Sequence, residues 1–267
     1  MNHLLRGHAP ITDGAWEAID REARDRLATA LAARKLVDFS GPHGWEHAAT
    51  PLGRSAALST APGAGVLARQ RSVLPLVELR LPFTLSRAEL EDIERGAPDQ
   101  DLSPLDEAAL RIAVSENATV FHGYPDAGIV GITEASDHPE LSLPAEPEKL
   151  PMAVAKAVDL IRGAGIAGPY GLAIGPEGYT SIIETTEHGG YLLFDHLRHI
   201  LDGPVVRAPG LVGAVVVSTR GGDFLLETGQ DLSIGYLSHT ADTVDLYLEE
   251  SLSFRVTEPG AAVYLRP

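Results

Sequence analysis

Thr12-Asp13-Gly14-Ala15-Trp16-Glu17-Ala18-Ile19-Asp20-Arg21-Glu22-Ala23-Arg24-Asp25-Arg26-Leu27-Ala28-Thr29-Ala30-Leu31 is the stretch from which the fold is read. Trp16, Ile19, Ala23, Leu27 and Leu31 recur at spacings of three and four, one apolar stripe on a helix that Thr12 caps and Asp13 starts. The other face carries Glu17 with Arg21 and Asp20 with Arg24, opposite charges one turn apart, as on a helix facing water. The far end of the chain has a different period. Val244, Leu246, Leu248, Leu252, Phe254 and Val256 share one parity, broken only by Glu250, and this is a strand pattern. A helical period at one end and a two-residue period at the other predict a mixed α+β chain.

Working outward from the helix, Leu36 to Phe39 alternates and Ser40-Gly41-Pro42-His43-Gly44 ends it as a turn. From Trp45 to Arg71 periodicity is weak, with Pro51, Gly53, Pro62, Gly63 and Gly65 scattered through it, which predicts an extended excursion from the main body. Val77, Leu79, Leu81 and Phe83 alternate with Glu78 and Arg80, and Pro75 and Pro82 assign this strand to a sheet edge. Ser86 and Glu89 have capping-box spacing ahead of a short helix closed by Arg95-Gly96, and Ser103-Pro104 opens a longer helix through Leu110 and Val114. After a loop-like stretch over 126–143 a second module begins. It has a helix from about Pro151 to Arg162, a strand over 170–174, a His-rich stretch from Glu184 to His199 and the apolar run Leu211 to Val217.

The 267 residues allow one large domain or two modest ones, and 44% hydrophobic with 22% charged residues exclude wholesale disorder. The net charge of −16 repels nucleic-acid phosphates, so a nucleic-acid partner is not expected. The absence of cysteine removes disulfides, thiolate metal sites and cysteine nucleophiles together. No apolar run reaches the roughly 18 residues of a membrane span. The first ten residues, with His3, Arg6 and His8, lack the apolar core of a signal peptide, so a cytoplasmic protein with no membrane partner is expected.

Motif by motif, no active site emerges. Gly163-Ala164-Gly165-Ile166-Ala167-Gly168 matches the dinucleotide fingerprint, but a helix precedes it and a strand follows, the reverse of the order that aims a helix N-terminus at a pyrophosphate; a helix-ending turn is expected. His188, His196 and His199 with Glu184, Glu187 and Asp195 have no recognised ligand spacing, so no metal site is assigned. Glu249 and Glu250 are adjacent on a strand, hence on opposite faces, and do not make a two-carboxylate site. No catalytic residue and no cofactor is expected. The stripe Trp16, Leu27, Leu31 has two readings: core packing, or a groove left partly open for a partner peptide.

Several stretches together resemble one family. They are Ala9-Pro10-Ile11-Thr12 and Ala15-Trp16; Gly41-Pro42-His43-Gly44-Trp45-Glu46; Pro75-Leu76-Val77-Glu78-Leu79 and Pro82-Phe83-Thr84-Leu85; Phe121-His122-Gly123; Arg220-Gly221-Gly222-Asp223-Phe224; and Gly229-Gln230-Asp231-Leu232-Ser233-Ile234-Gly235-Tyr236. In order over nearly the whole chain, they are similar to the encapsulins, nanocompartment shell proteins once described as linocin-type bacteriocins.

The resemblance implies the Hong Kong 97-type phage capsid fold. A discontinuous P domain would take 1–49, 79–132 and 225–254, including an N-terminal lumenal helix over about 12–35; an E-loop would take 50–78, and an A domain 133–224 with 255–267. It also implies assembly with itself into an icosahedral shell of about 60 copies, with a net charge of roughly a thousand negative charges that suits a protein cargo better than a genome. The cargo implied is an enzyme bearing a targeting peptide, a dye-decolourising peroxidase or a ferritin-like protein. Its groove would be formed by Leu27, Leu31, Arg34, Asp38, Asp231, Leu232, Ile234 and Tyr236. A pore loop at the fivefold axis would be Glu184, Thr185, Thr186, Glu187, His188, Gly189, Gly190 and Tyr191. The alternatives are a bacteriocin-like hydrolase or other enzyme, and a prophage capsid remnant.

Overall fold

The computed structural model describes residues 3–186 and 192–267. In chain order, α1 (Asp13–Ala30) leads to β1 (Asp38–Ser40), β2 (Ala49–Ala57), β3 (Arg69–Pro75) and β4 (Val77–Ser86), then α2 (Arg87–Glu94) and α3 (Ser103–His122). Short pieces follow: β5 (Gly123–Tyr124), β6 (Ile129–Val130), α4 (Ile132–Ala135) and β7 (Leu141–Ser142). Then come α5 (Leu150–Gly163), β8 (Tyr170–Ile174), α6 (Pro176–Glu184), α7 (Leu193–Leu201) and β9 (Val205–Arg207). The chain ends with β10 (Ala214–Ser218), β11 (Phe224–Thr228), β12 (Ser233–His239), β13 (Thr243–Val256) and β14 (Ala262–Arg266).

Two five-stranded sheets result. The first is built on the long β13: Leu252 pairs with Thr228 of β11 and with Val77 of β4, and Leu246 pairs with Tyr236 of β12 and with Phe83 of β4. β11 and β12 therefore lie end to end along one edge of β13 and β4 runs along the other, while β1 joins β11 in parallel. Pro82, which cannot donate to a ladder, is tolerated because β4 has a neighbour on one side only. The second sheet has the order β7-β14-β10-β8-β9, and every residue of β8 and β10 is buried, which explains their continuous apolar sequences.

The expected edge strand, the strand over 170–174 and the long helix after Ser103-Pro104 all form. The glycine-rich fingerprint is a turn leaving α5, with the Gly165 N–H donating to the Arg162 carbonyl. The weakly patterned excursion is more regular than its sequence suggests: β2 and β3 pair as an antiparallel ribbon whose far end, 58–67, is exposed apart from its backbone bonds. Such a two-stranded ribbon, its apolar side chains left largely exposed, has little stability of its own. The capping box at Ser86 does not form; Ser86 makes no side-chain cap, and the Glu89 carboxylate accepts from the Asp101 N–H at 2.9 Å. Nor does Asp20 bond Arg24. It takes the Arg6 guanidinium at 2.8 Å, and the one-turn ion pair on α1 is Glu22–Arg26 at 2.8 Å.

α3 ties the molecule together. Its Leu105 and Ile112 pack against Trp16, Ile19 and Leu27 of α1 and against Leu246 and Leu248 of β13, forming one apolar core, while Val120 and Phe121 belong to a second core around the second sheet. Gly210 lies so close to α3 that a Cβ there would sit 2.6 Å from the Val114 carbonyl oxygen, and its φ of +92° also favours glycine.

Candidate functional site: a trough between the first helix and β12

The stripe on α1 is only partly consumed by the core. Ala23, Leu27, Ala28 and Leu31 form one wall of an open trough of about 450 Å³, and Leu232, Ser233, Ile234 and Leu248 form the other. Leu4 and Arg6 border it as well, with Asp20 and Arg24 on the helix side and Arg34 with Asp231 beyond Leu31. Leu27 and Leu31 are 8% and 9% exposed, so they serve the core and still present an edge to the trough. Of the residues assigned to a groove from sequence, Leu27, Leu31, Arg34, Asp231, Leu232 and Ile234 are brought together here. Asp38 and Tyr236 are not among the lining residues. Asp38 stands across Arg34 in a smaller cleft, where its carboxylate accepts from the Gly222 N–H at 2.5 Å. The Tyr236 hydroxyl is hydrogen-bonded to His239 Nδ1 at 2.5 Å.

The strand wall also offers main chain. The Tyr236 N–H donates to the Leu4 carbonyl at 2.9 Å, so its polar backbone faces away from β13. The pleat turns alternate residues to the same edge, which places the Ile234 N–H and carbonyl on the trough side too.

Arg34 is held from behind. Its Nε donates to Glu116 at 2.8 Å, Nη1 to Asp231 at 2.8 Å, and Nη2 to Glu116 at 2.5 Å and Glu250 at 3.3 Å; the guanidinium carbon also lies 4.6 Å from the Phe39 ring centre. Burial works against its charge but is outweighed by the hydrogen bonds and charge of Glu116, with Asp231 and Glu250 adding, so its proton is held more tightly than usual. Glu250 is fully buried, and burial followed by the Glu116 charge raises its carboxyl well above the usual range. Arg34 is thus a pin between the turn after α1, α3 and β13, with Nε, Nη1 and Nη2 each engaged by a carboxyl group. Glu249, on the opposite face of β13, bonds Arg80 through Nε at 2.7 Å.

Glu116 and Asn117 are not singled out by the sequence, and Glu250, which breaks the parity of its strand, has no partner assigned there. Asn117 is completely buried and uses its whole amide: Oδ1 accepts from the N–H groups of Ala32 and Ala33 at 2.9 and 3.0 Å, and Nδ2 donates to the carbonyls of Ala30 and Pro209, both at 2.9 Å. A signal existed. Glu116 and Asn117 fall on the face that Ile112, Ala113, Val120 and Phe121 bury, and Glu250 breaks the apolar parity of its strand; polar residues at such positions announce a buried network.

Of the expected pore loop, Glu184 ends α6, the Thr185 carbonyl accepts from the Leu193 N–H at 3.3 Å, and Thr186 bridges to Leu192, bringing the two arms of the loop together. Glu187, His188, Gly189, Gly190 and Tyr191 lie outside the described residues. Among the described residues no cluster of His, Asp or Glu could hold a metal ion, and no helix is long and apolar enough to cross a membrane.

Comparison with known proteins identifies the family. A family model described as "Encapsulating protein for peroxidase" matches residues 1–253. The type 1 encapsulin shell protein of Rhodospirillum rubrum is 49% identical, over 100% of this chain and 97% of its own length. That of Mycobacterium tuberculosis is 44% identical over 99% of each. Among solved structures, a virus-like particle from Pyrococcus furiosus superposes with a TM-score of 0.67 at 20% identity, covering 94% of this chain and 99% of its own. That likeness shows the Hong Kong 97-type capsid fold, and the named relatives are shell proteins. The chain belongs to the encapsulin shell proteins.

Proposed function

We propose that the chain closes into an icosahedral shell of about 60 copies, resident in the cytoplasm, whose inner wall captures a cargo enzyme by a targeting peptide laid in the trough between α1 and β12. The observation that carries this reading is the trough itself: an amphipathic helix that withholds part of its apolar stripe from the core and holds it opposite a strand with free main-chain groups. A peroxidase cargo is favoured by the family's description, with a ferritin-like protein second. The first sheet with α1 and α3 corresponds to the P domain, the β2–β3 ribbon to the E-loop, and the second sheet with α5 to α7 to the A domain; the division of the strands between two sheets supports those boundaries. The segment 184–191 would meet its copies at the fivefold axis, where Glu187 and His188 would set the charge of a pore.

The test is cargo loading. Leu27→Asp places a charge in the trough, and Ala28→Trp fills it from an exposed position without entering the core. Ala28→Trp should still form particles and lose a co-expressed peptide-tagged cargo, and Leu27→Asp, whose side chain also packs the core, should lose cargo from the particles it forms. Intact Ala28→Trp particles that load cargo like wild type would refute the site.

A further inference from the structure

We infer that the trough selects a targeting segment that carries an aspartate or glutamate, recognised by Arg24; this rests on the cargo-docking reading above. Three arginines and two aspartates line the trough, a local excess of positive charge in a chain of net charge −16. Two of the arginines are committed. Arg6 bonds Asp20 at 2.8 Å with its guanidinium 3.9 Å from the Trp16 ring centre, and Arg34 is held by Glu116, Asp231 and Glu250. The aspartates are committed to the same two arginines. Arg24 is exposed, and among the described residues no carboxylate or carbonyl is bonded to it. Its natural partner one turn back on α1 is Asp20, which Arg6 has taken.

Arg24 therefore stands as the uncommitted charge on the helix wall, on the same face as Leu27, Ala28 and Leu31. On the opposite wall Ile234 offers an N–H and a carbonyl in line with the Tyr236–Leu4 bond, so a docked segment runs extended beside β12. Apolar side chains then meet Leu27, Leu31 and Leu232, and an acidic side chain beside them closes a charge-assisted bond with Arg24.

The experiment lets the shell choose. The full chain is co-expressed with a fluorescent reporter fused to random twelve-residue C-terminal tails, particles are purified, and the tails inside are sequenced. Wild-type particles should enrich tails that combine apolar residues with an Asp or Glu, by about two- to fivefold over the input, the range of one partly exposed ion pair. Particles of Arg24→Glu should lose that enrichment and gain tails with Lys or Arg at the same place. Ala28→Trp particles should retain none of the selected tails. Wild-type tails without acidic enrichment, or the same tails from Arg24→Glu, would overturn the role of Arg24 while leaving the docking site standing. Retention of the selected tails by Ala28→Trp would overturn both.

Discussion

Replacing Asn117 by alanine should be among the most damaging single changes in this protein, although the residue touches no partner. Its amide makes four hydrogen bonds of 2.9 to 3.0 Å to main-chain groups of Ala30, Ala32, Ala33 and Pro209. Ala32 and Ala33 are completely buried, so water cannot take over their N–H groups. At about 1 kcal/mol for each bond lost without replacement, Asn117→Ala should cost about 4 kcal/mol. For a chain of this size that lowers the melting temperature by about 8 to 16 °C. The assay is guanidinium unfolding of the full chain together with thermal melts of purified particles at one scan rate. Thr119→Val is the control: it removes a buried hydroxyl from the same helix, but one whose bond, 2.8 Å to the Ser115 carbonyl, stays within that helix. Because Asn117 fixes the turn leaving α1, cargo loading should also fall in Asn117→Ala particles below their melting point. If Asn117→Ala lies within about 1 kcal/mol of Thr119→Val, the four bonds do not hold α1 and the argument fails.

Three further outcomes follow from the same framework. Deleting 56–68 should leave soluble small oligomers on size exclusion, since the ribbon's exposed Val66 and Leu67 have only neighbouring copies to bury them; complete shells would contradict the assignment of this loop. Gly210→Ala forces a Cβ against the Val114 carbonyl at a φ of +92°, and should lower stability by about 2 kcal/mol or more in denaturant titrations; an unchanged midpoint would show that the loop simply moves away. The carboxyl of Glu250 is raised above its ordinary 4.5, so the folded chain keeps a proton that the unfolded chain releases as pH rises past that value. Its stabilising contribution is complete below 4.5 and is lost toward the higher folded value; Glu250→Gln, neutral at every pH, should match wild type in acid and melt progressively higher than it toward alkaline pH. Parallel melting curves across that range would exclude a proton on Glu250.

Much of the architecture was legible because local periodicity reports which face is buried. Trp16, Ile19, Ala23 and Leu27 fall on the core side of α1 as their spacing requires, and the alternation in β4 and β13 places both strands correctly. The turn after α5 was legible too, because a helix before glycines and a strand after them cannot present a helix N-terminus to a phosphate. The ribbon of β2 and β3 was not, since its outer part is exposed on both sides and its base turns only a few residues inward, Thr50, Ser72 and Leu74 among them, too few to make a pattern.

For the site, the sequence by itself determined the helix wall: Leu27 and Leu31 are where the helical period puts them, Leu232 and Ile234 were implied by the family resemblance, and all four line the trough. Only the tertiary structure decided which charges are free. Arg34 looked available for a peptide, yet Glu116, Asp231 and Glu250 arrive from three distant segments to occupy it, and Arg6 removes Asp20 from Arg24. Apolar burial is set by position along one element, whereas an ion pair is set by which carboxylate reaches a guanidinium first in space, and no spacing in the chain encodes that distance.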